Sequence, residues 1–359
     1  MPIFLAFLGF GARGFGGPVV QIQALLDEFV VRRGWTGEAR FRRALGVYQV
    51  LPGPEAHEMC CYLGTVRGGR LGGIAAGLGF MLPGLVLMLG ASALYGSIDL
   101  AARPAAFALA AMQLAACALI LRAAWKLAQP VRADWRLCAM VLGAAATIAV
   151  LATQDAASPG TAATNDTVPR GALELFSHGL VAGLVTFGGA YTALPFVTSV
   201  AAGEGGWMTQ EACLDGVAIA SVLPAPLVIF GTFVGFRGGG LLGALAFTAG
   251  MFLPAFGFTF VGFEVFERLV AWRPARAALD LAGAVAVGLI AGSALAFAGE
   301  SLGVGRAGDA AFGVWPSAAL LAVSFGFLVR RKGPFVAPTL VIASGVLGAL
   351  AGVVADLRA

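Results

Sequence analysis

The run "LPGPEAHEM" at 51–59 sets three ionisable side chains, Glu55, His57 and Glu58, directly behind two prolines and a glycine. If a helix opens at Pro54, Glu55 and Glu58 share a face of its first turn, where the helix dipole favours carboxylates. Two readings follow. The acids cap the helix start, or they face a cavity and carry protons, with His57 as a relay or as a hydrogen-bonded core residue. A second charge stands upstream. Arg13, in "GFGARGFGGPVV" (9–20), is the one basic side chain that falls inside an apolar segment. A central arginine costs ~2.5 to 3.5 kcal/mol on insertion scales, so it snorkels, pairs with an acid, or has a task. A bidentate contact to a tetrahedral oxyanion would be such a task.

Gly9, Gly11 and Gly14 also match G-x-G-x-x-G, but a dinucleotide site needs a strand before that motif and an acid well beyond it. Composition decides against it: 59% of the 359 residues are apolar and 12% charged, about half the charge of a soluble domain. Long apolar runs such as 71–96 do not alternate, which excludes a barrel and leaves membrane-spanning helices. The start of the chain carries no basic region or cleavage site of a signal peptide. Cys60, Cys61, Cys117, Cys138 and Cys213 lack metal-ligand spacing and read as small packing residues. No metal, cofactor or nucleic acid is expected; the basic residues read as topology signals. A membrane enzyme would need a denser polar cluster than Glu55, His57 and Glu58 supply.

The elements that must position these residues occur twice. "GFGGP" (14–18) pairs with "TFGGA" (186–190), Trp35 with Trp207, and "VLPGP" (50–54) with "VLPAP" (222–226), each at an offset of 172. With one residue deleted, "GFMLPG" (79–84) pairs with "GMFLPA" (250–255), and "RGG" at 67–69 with "RGG" at 237–239. The chain therefore divides into a first repeat, 1–153, a polar linker, 154–172, and a second repeat, 173–359.

Apolar segments lie near 3–24, 44–64, 71–96, 104–121 and 137–153, then near 173–200, 213–236, 241–263, 277–299, 313–329 and 334–355. If all of them cross, the arginines at 32–43 fall opposite Arg122, Lys126, Arg132 and Arg136, against the positive-inside rule. If each half's second segment, broken by LPGP or LPAP, enters and leaves on one side, the charges agree. The outer side then keeps only Arg103, Arg170, Arg237, Arg306 and Arg358. The expected fold is an all-α polytopic membrane protein, its two homologous halves in inverted topology with broken or re-entrant helices, a plan of secondary transporters. Loop charge leaves open whether segment one turns back.

Proline at a first helical position loses no hydrogen bond, so FGGP and LPGP read as breaks followed by new helices at Pro18 and Pro54. Such starts offer unpaired N–H groups to an anion; packing kinks are the alternative. At FGGP, LPGPE and "GRLGGIAAGLGFMLPG", and in the second copy at FGGA, LPAP and "GMFLP", the chain resembles the two-domain form of the chromate ion transporter family. The resemblance implies a multi-pass carrier of the bacterial inner membrane that exports chromate, with sulfate as a lookalike and protons as the coupling ion. It points to Phe15, Gly16, Gly17 and Pro18, to Pro52, Gly53, Pro54 and Glu55, and to Gly188 and Gly189. Pro224 and Pro226 of LPAP join the expected substrate site, as does Arg13; Glu55, His57 and Glu58 form the expected proton path. The second copy departs from the pattern at Ala190 and Ala225. A homodimer, a passive channel and a sulfate permease stay open.

Overall fold

The computed structural model describes residues 2–99, 102–129, 138–146, 169–186, 190–203, 205–301, 312–331 and 333–358. The linker read at 154–172 falls almost wholly outside them. Among the described residues all regular elements are helical, and five helices are long and apolar enough to cross a membrane.

Helix α1 (Ile3–Gly11) stops at the first break, and α2 (Pro18–Leu25) begins beyond it and continues as a π-helical stretch, Leu26–Arg32. Nine residues reach about 13 Å, well short of a ~30 Å hydrocarbon core, so α1 ends within it. The chain then returns. Phe29 stacks on Phe7 with ring centroids 4.3 Å apart, and Trp35 lies 5.9 Å from Phe7. The apolar segment at 3–24 is thus one arm and the tip of a hairpin. At that tip Gly17 has a φ of 79°, which lets Pro18 take the first helical position as expected. At the rim Glu28 meets Arg32 at 2.5 Å and Arg33 at 2.6 Å. The Arg33 hydrogen bond, more than any other influence, holds the Glu28 carboxyl below its ordinary range.

Helix α3 (Glu38–Tyr48) leads to the second break, after which α4 spans Glu55–Tyr95. The helix opens at Glu55 with Pro54 as its cap, one position later than the start expected at Pro54. Forty-one residues would extend about 60 Å, twice the hydrocarbon core. The helix instead folds at Gly68 and Gly69, whose φ/ψ of −145°/25° and 63°/−162° separate a first arm, 55–67, from a second, 70–95. The arms pack closely, Gly64 lying on the Gly72 carbonyl and Gly77 on Cys61 Sγ. Gly64→Val is expected to destabilise the protein by ~1 to 3 kcal/mol through overpacking. Gly90→Val, in open space on the second arm, is the control. Scanning fluorimetry in detergent should show a lower midpoint for the first only; equal midpoints would refute the close approach. Helix α5 (Arg103–Leu127) follows.

The second half repeats the plan. Helix α6 (Ala172–Leu184), a 3-10 turn (Ala190–Thr192) and α7 (Ala193–Ala202) correspond to the first hairpin. Helix α8 (Gln210–Val222), a 3-10 turn (Leu227–Ile229) and α9 (Phe230–Val261) correspond to α3 and α4. Equivalent residues make equivalent contacts: Gly11 lies on Phe80 and Gly183 on Met251, Gly79 on Phe4 and Leu8, and Gly250 on Phe176 and Leu180. The fold in α9 comes at Gly239 and Gly240, with φ/ψ of −155°/27° and 60°/−149°. This corrects the alignment of the RGG motifs. Gly68–Gly69 matches Gly239–Gly240, because the backbone turn sets the register and the arginine does not. The deletion falls earlier, where the 3-10 turn replaces the first α-helical turn of α4.

The second arms of α4 and α9 run antiparallel. Thr259 touches Gly73 and Phe256 touches Gly77, and at the fold of α9 the Arg237 guanidinium, on its first arm, lies 5.9 Å over the Tyr95 ring. Helices α10 (Phe263–Ala271), α11 (Arg273–Ser301), α12 (Val314–Arg330) and α13 (Val336–Arg358) complete the chain, with α13 against α5.

Candidate functional site

Three of the chain breaks, together with the residue that precedes the fourth, meet near mid-height of the antiparallel arms. The Gly53 N–H donates to the Thr186 carbonyl at 2.6 Å, joining LPGP of the first half to the chain just before the second half's glycine pair. In the reciprocal crossing, Gln21 on the first turn of α2 donates from Nε2 to the Gly14 carbonyl at 2.6 Å and to the Ala225 carbonyl at 3.2 Å. Gly14 and Thr186 are repeat equivalents, as are Gly53 and Ala225. One crossing closes through a direct backbone bond. The other is spanned by an inserted amide side chain.

Glu55, His57 and Glu58 are all buried, yet their surroundings differ. Glu58 packs against Gly53, where any β-carbon would collide with its carboxyl, and neither of its oxygens has a hydrogen-bond partner. Burying a carboxyl without a donor is costly, so such a group calls for a proton or a donor from a ligand. Glu55 has Gln49 in hydrogen-bonding reach and Lys126 in electrostatic range. The His57 ring lies 4.9 Å from both Phe252 and Phe256, with Cys61 Sγ 3.7 Å from Nδ1. The shared helix turn therefore holds one solitary acid, one partnered acid and an aromatic-walled histidine.

At the first tip, Gly16 lies on Pro334 and the Phe15 ring is 5.4 Å from that of Phe335, so the loop before α13 covers FGGP. Gly17 has open space beside it, and Pro18 opens α2. Pro52 and Pro54 flank Gly53, and Pro224 and Pro226 flank Ala225, with Pro226 capping the 3-10 turn. Gly188 and Gly189 lie outside the described residues. Arg13 is exposed, and its Nε donates back to the Gly9 carbonyl at 2.8 Å. It flanks the tip and makes no bond to the crossing.

Sequence reasoning missed Gln21, although a polar side chain on the first turn past a proline break is the same kind of signal that drew notice to Glu55, His57 and Glu58. It also missed Asp215 on α8, a lone acid in an apolar segment. Asp215 is buried; Tyr95 donates to its Oδ2 at 2.6 Å and Gln113 to its Oδ1 at 2.9 Å. A cavity of about 340 Å³ lined by Leu121, Trp125, Val287, Leu295 and Phe325 lies elsewhere, and its apolar walls offer nothing to an anion.

The family model described as "Chromate transporter" matches residues 1–162 and again 173–351. A "Chromate transport protein" of Pseudomonas aeruginosa is 38% identical over 96% of this chain and 91% of its own length. A "Probable chromate transport protein" of Synechococcus elongatus is 30% identical over 73% of this chain and 75% of its own. A "Chromate transport protein" of Cupriavidus metallidurans is 27% identical over 84% and 83%. No solved structure gives a significant match. With both repeats matched and the interrupted helices of each in contact with the other, the chain belongs to the chromate transporter family, a family of membrane transport proteins and not of enzymes.

Proposed function

We propose that this protein is a secondary transporter that exports chromate across the bacterial inner membrane, coupled to protons, by alternating access of two inverted halves. The observation that carries the reading is the reciprocal crossing of breaks, Gly53 on Thr186 and Gln21 between Gly14 and Ala225, with the unpartnered Glu58 carboxyl beside it. Helix starts at mid-membrane aim N–H groups at a dianion, and irregular backbone at that depth is tolerated where it is covered by protein or lines a wet cavity. Inversion is supported by the antiparallel course of the second arms of α4 and α9, which occupy equivalent places in the two repeats. The Arg67 and Arg70 end, shared with α3 and α10, is the cytoplasmic one by its charge.

In this reading FGGP and LPGP, with their second copies, bind the oxyanion, and Arg13 stands at the edge of the tip as a source of positive potential. Glu58 carries the coupling proton. A carboxylate and a dianion repel each other at contact, so the state of this one group changes the affinity of its neighbour. Glu55, already partnered, positions the first turn of α4.

The test is counterflow and net flux of radiolabelled chromate and sulfate in proteoliposomes, with and without a pH gradient. Chromate counterflow with net flux that follows the gradient is the expected result. Sulfate moved in preference would make it a sulfate permease. Dissipation of a chromate gradient with no response to pH would make it a passive channel.

A further inference from the structure

The two repeats touch each other at a second pair of equivalent places, far from the breaks. At the end of the second arm of α4, Asp215 on α8 accepts from Tyr95 and from Gln113 of α5, Asp215 and Tyr95 buried and Gln113 half-buried, with Arg237 over the Tyr95 ring and Glu211 one turn back on α8. The repeat equivalent of Asp215 is Arg43 on α3, and Glu267 on α10 is one residue beyond the equivalent of Tyr95. Those two also meet: Arg43 Nε lies 3.6 Å from Glu267 Oε1, with the side chains 65% and 38% exposed. The contacts sit at opposite ends of the arms. Residues 73 and 95 are separated by about 30 Å of helix, the thickness of a hydrocarbon core. Thr259, just before α10, is beside Gly73, whereas Tyr95 is itself in the other contact.

We propose that Asp215, Tyr95 and Gln113 form a latch that closes one end of the transport path, and that Arg43 with Glu267 is its counterpart at the other end. This rests on the alternating-access reading given above. In a two-fold related pair of gates the chemistry of one contact need not match the other, but only one should be firmly made at a time. Here the first is a buried carboxyl held at both oxygens, and the second is a single solvent-washed ion pair, worth little by itself. The structure is accordingly shut at the Asp215 end and held loosely at the Arg43 end. Opening the first would swing α8 away from α4 and α5 and unpack the helix as a whole, including Cys213, which is fully buried on it.

Cys213 makes the latch measurable. In a chain carrying Cys60→Ala, Cys61→Ala, Cys117→Ala and Cys138→Ala, membrane-impermeant maleimide is added to right-side-out and to everted vesicles. Asp215→Asn should raise the labelling rate of Cys213 about tenfold, from the side opposite the arginine-rich rim alone, since loosening a latch shifts a two-state population. Tyr95→Phe keeps the ring and removes only the hydroxyl, and should raise it less, on the same side. Glu267→Gln should raise it on neither side. Hydrogen exchange on the native-cysteine chain in nanodiscs provides the second measurement: faster exchange confined to α8 and the end of α4 supports the latch. Labelling unchanged in both Asp215→Asn and Tyr95→Phe, labelling from both sides, or faster exchange throughout would overturn it. Chromate counterflow is followed in the same vesicles. A parent protein that moves chromate with unresponsive Cys213 rejects the latch alone, and one-sided labelling without chromate movement rejects the transport reading alone.

Discussion

Replacing Glu58 by glutamine is expected to abolish the response of chromate flux to a pH gradient while leaving chromate counterflow intact. Counterflow needs only a site that binds and reorients with substrate. Gradient-driven accumulation needs a group that gains and loses a proton in step with it. Each coupled proton contributes ~1.4 kcal/mol per pH unit, about a tenfold change in the accumulation ratio. The parent protein should show at least that response and Glu58→Gln none. Glutamine preserves the side chain's volume and hydrogen-bonding tip beside Gly53, so the fold has no reason to fail. Glu55→Gln is the matched comparison. Its carboxyl already has Gln49 in reach and Lys126 nearby, and its replacement should lower the rate without flattening the response. The measurement is accumulation in proteoliposomes at several imposed gradients. A Glu58→Gln protein that still follows pH would remove Glu58 from the coupling role, and loss of the response in Glu55→Gln would transfer that role.

The breaks were legible because the residues that make them are chemically exceptional. Glycine and proline pairs interrupt otherwise unbroken apolar runs, and their recurrence at one offset shows the two halves without any coordinates. Hydropathy separated 44–64 from 71–96, and the chain does fold between them, at Gly68–Gly69. What each break touches was not legible. The bond from Gly53 to Thr186 and the bridge from Gln21 to Ala225 join residues whose separation in sequence is fixed only by how the repeats dock. Charge attracted notice to Arg13, which is exposed, and neutrality hid Gln21, which is almost wholly buried. The turn back of segment one depends on Phe7 meeting Phe29, a pairing that loop charge could not reveal. The RGG motif misled for a related reason: its arginine is conspicuous, but the turn belongs to the glycines.

Gln21 also carries the second large effect, because of where the two crossings differ. Gly53 meets Thr186 directly, and the equivalent pair, Ala225 and Gly14, is held apart by the width of an amide whose Nε2 serves both carbonyls. Gln21→Leu fills the same space and withdraws the donor. Two buried carbonyls then face each other unpaired, at a cost of ~1 to 3 kcal/mol each. If the crossing is where the anion binds, about 2 kcal/mol of that falls on the bound state, some 30-fold in chromate affinity. Gln21→Glu should be worse, since a carboxylate would meet both carbonyls and repel the dianion. Gln21→Asn is too short to reach both carbonyls and should fall between the parent and Gln21→Leu. The affinity is read as the half-saturating chromate concentration for counterflow, with the thermal midpoint in detergent taken alongside. The expected order of weakening is Asn, then Leu, then Glu, with affinity falling further than stability alone would carry it. Equal affinity in all three variants at a lowered midpoint would make Gln21 a structural brace only, and would place the anion away from the crossing of the breaks.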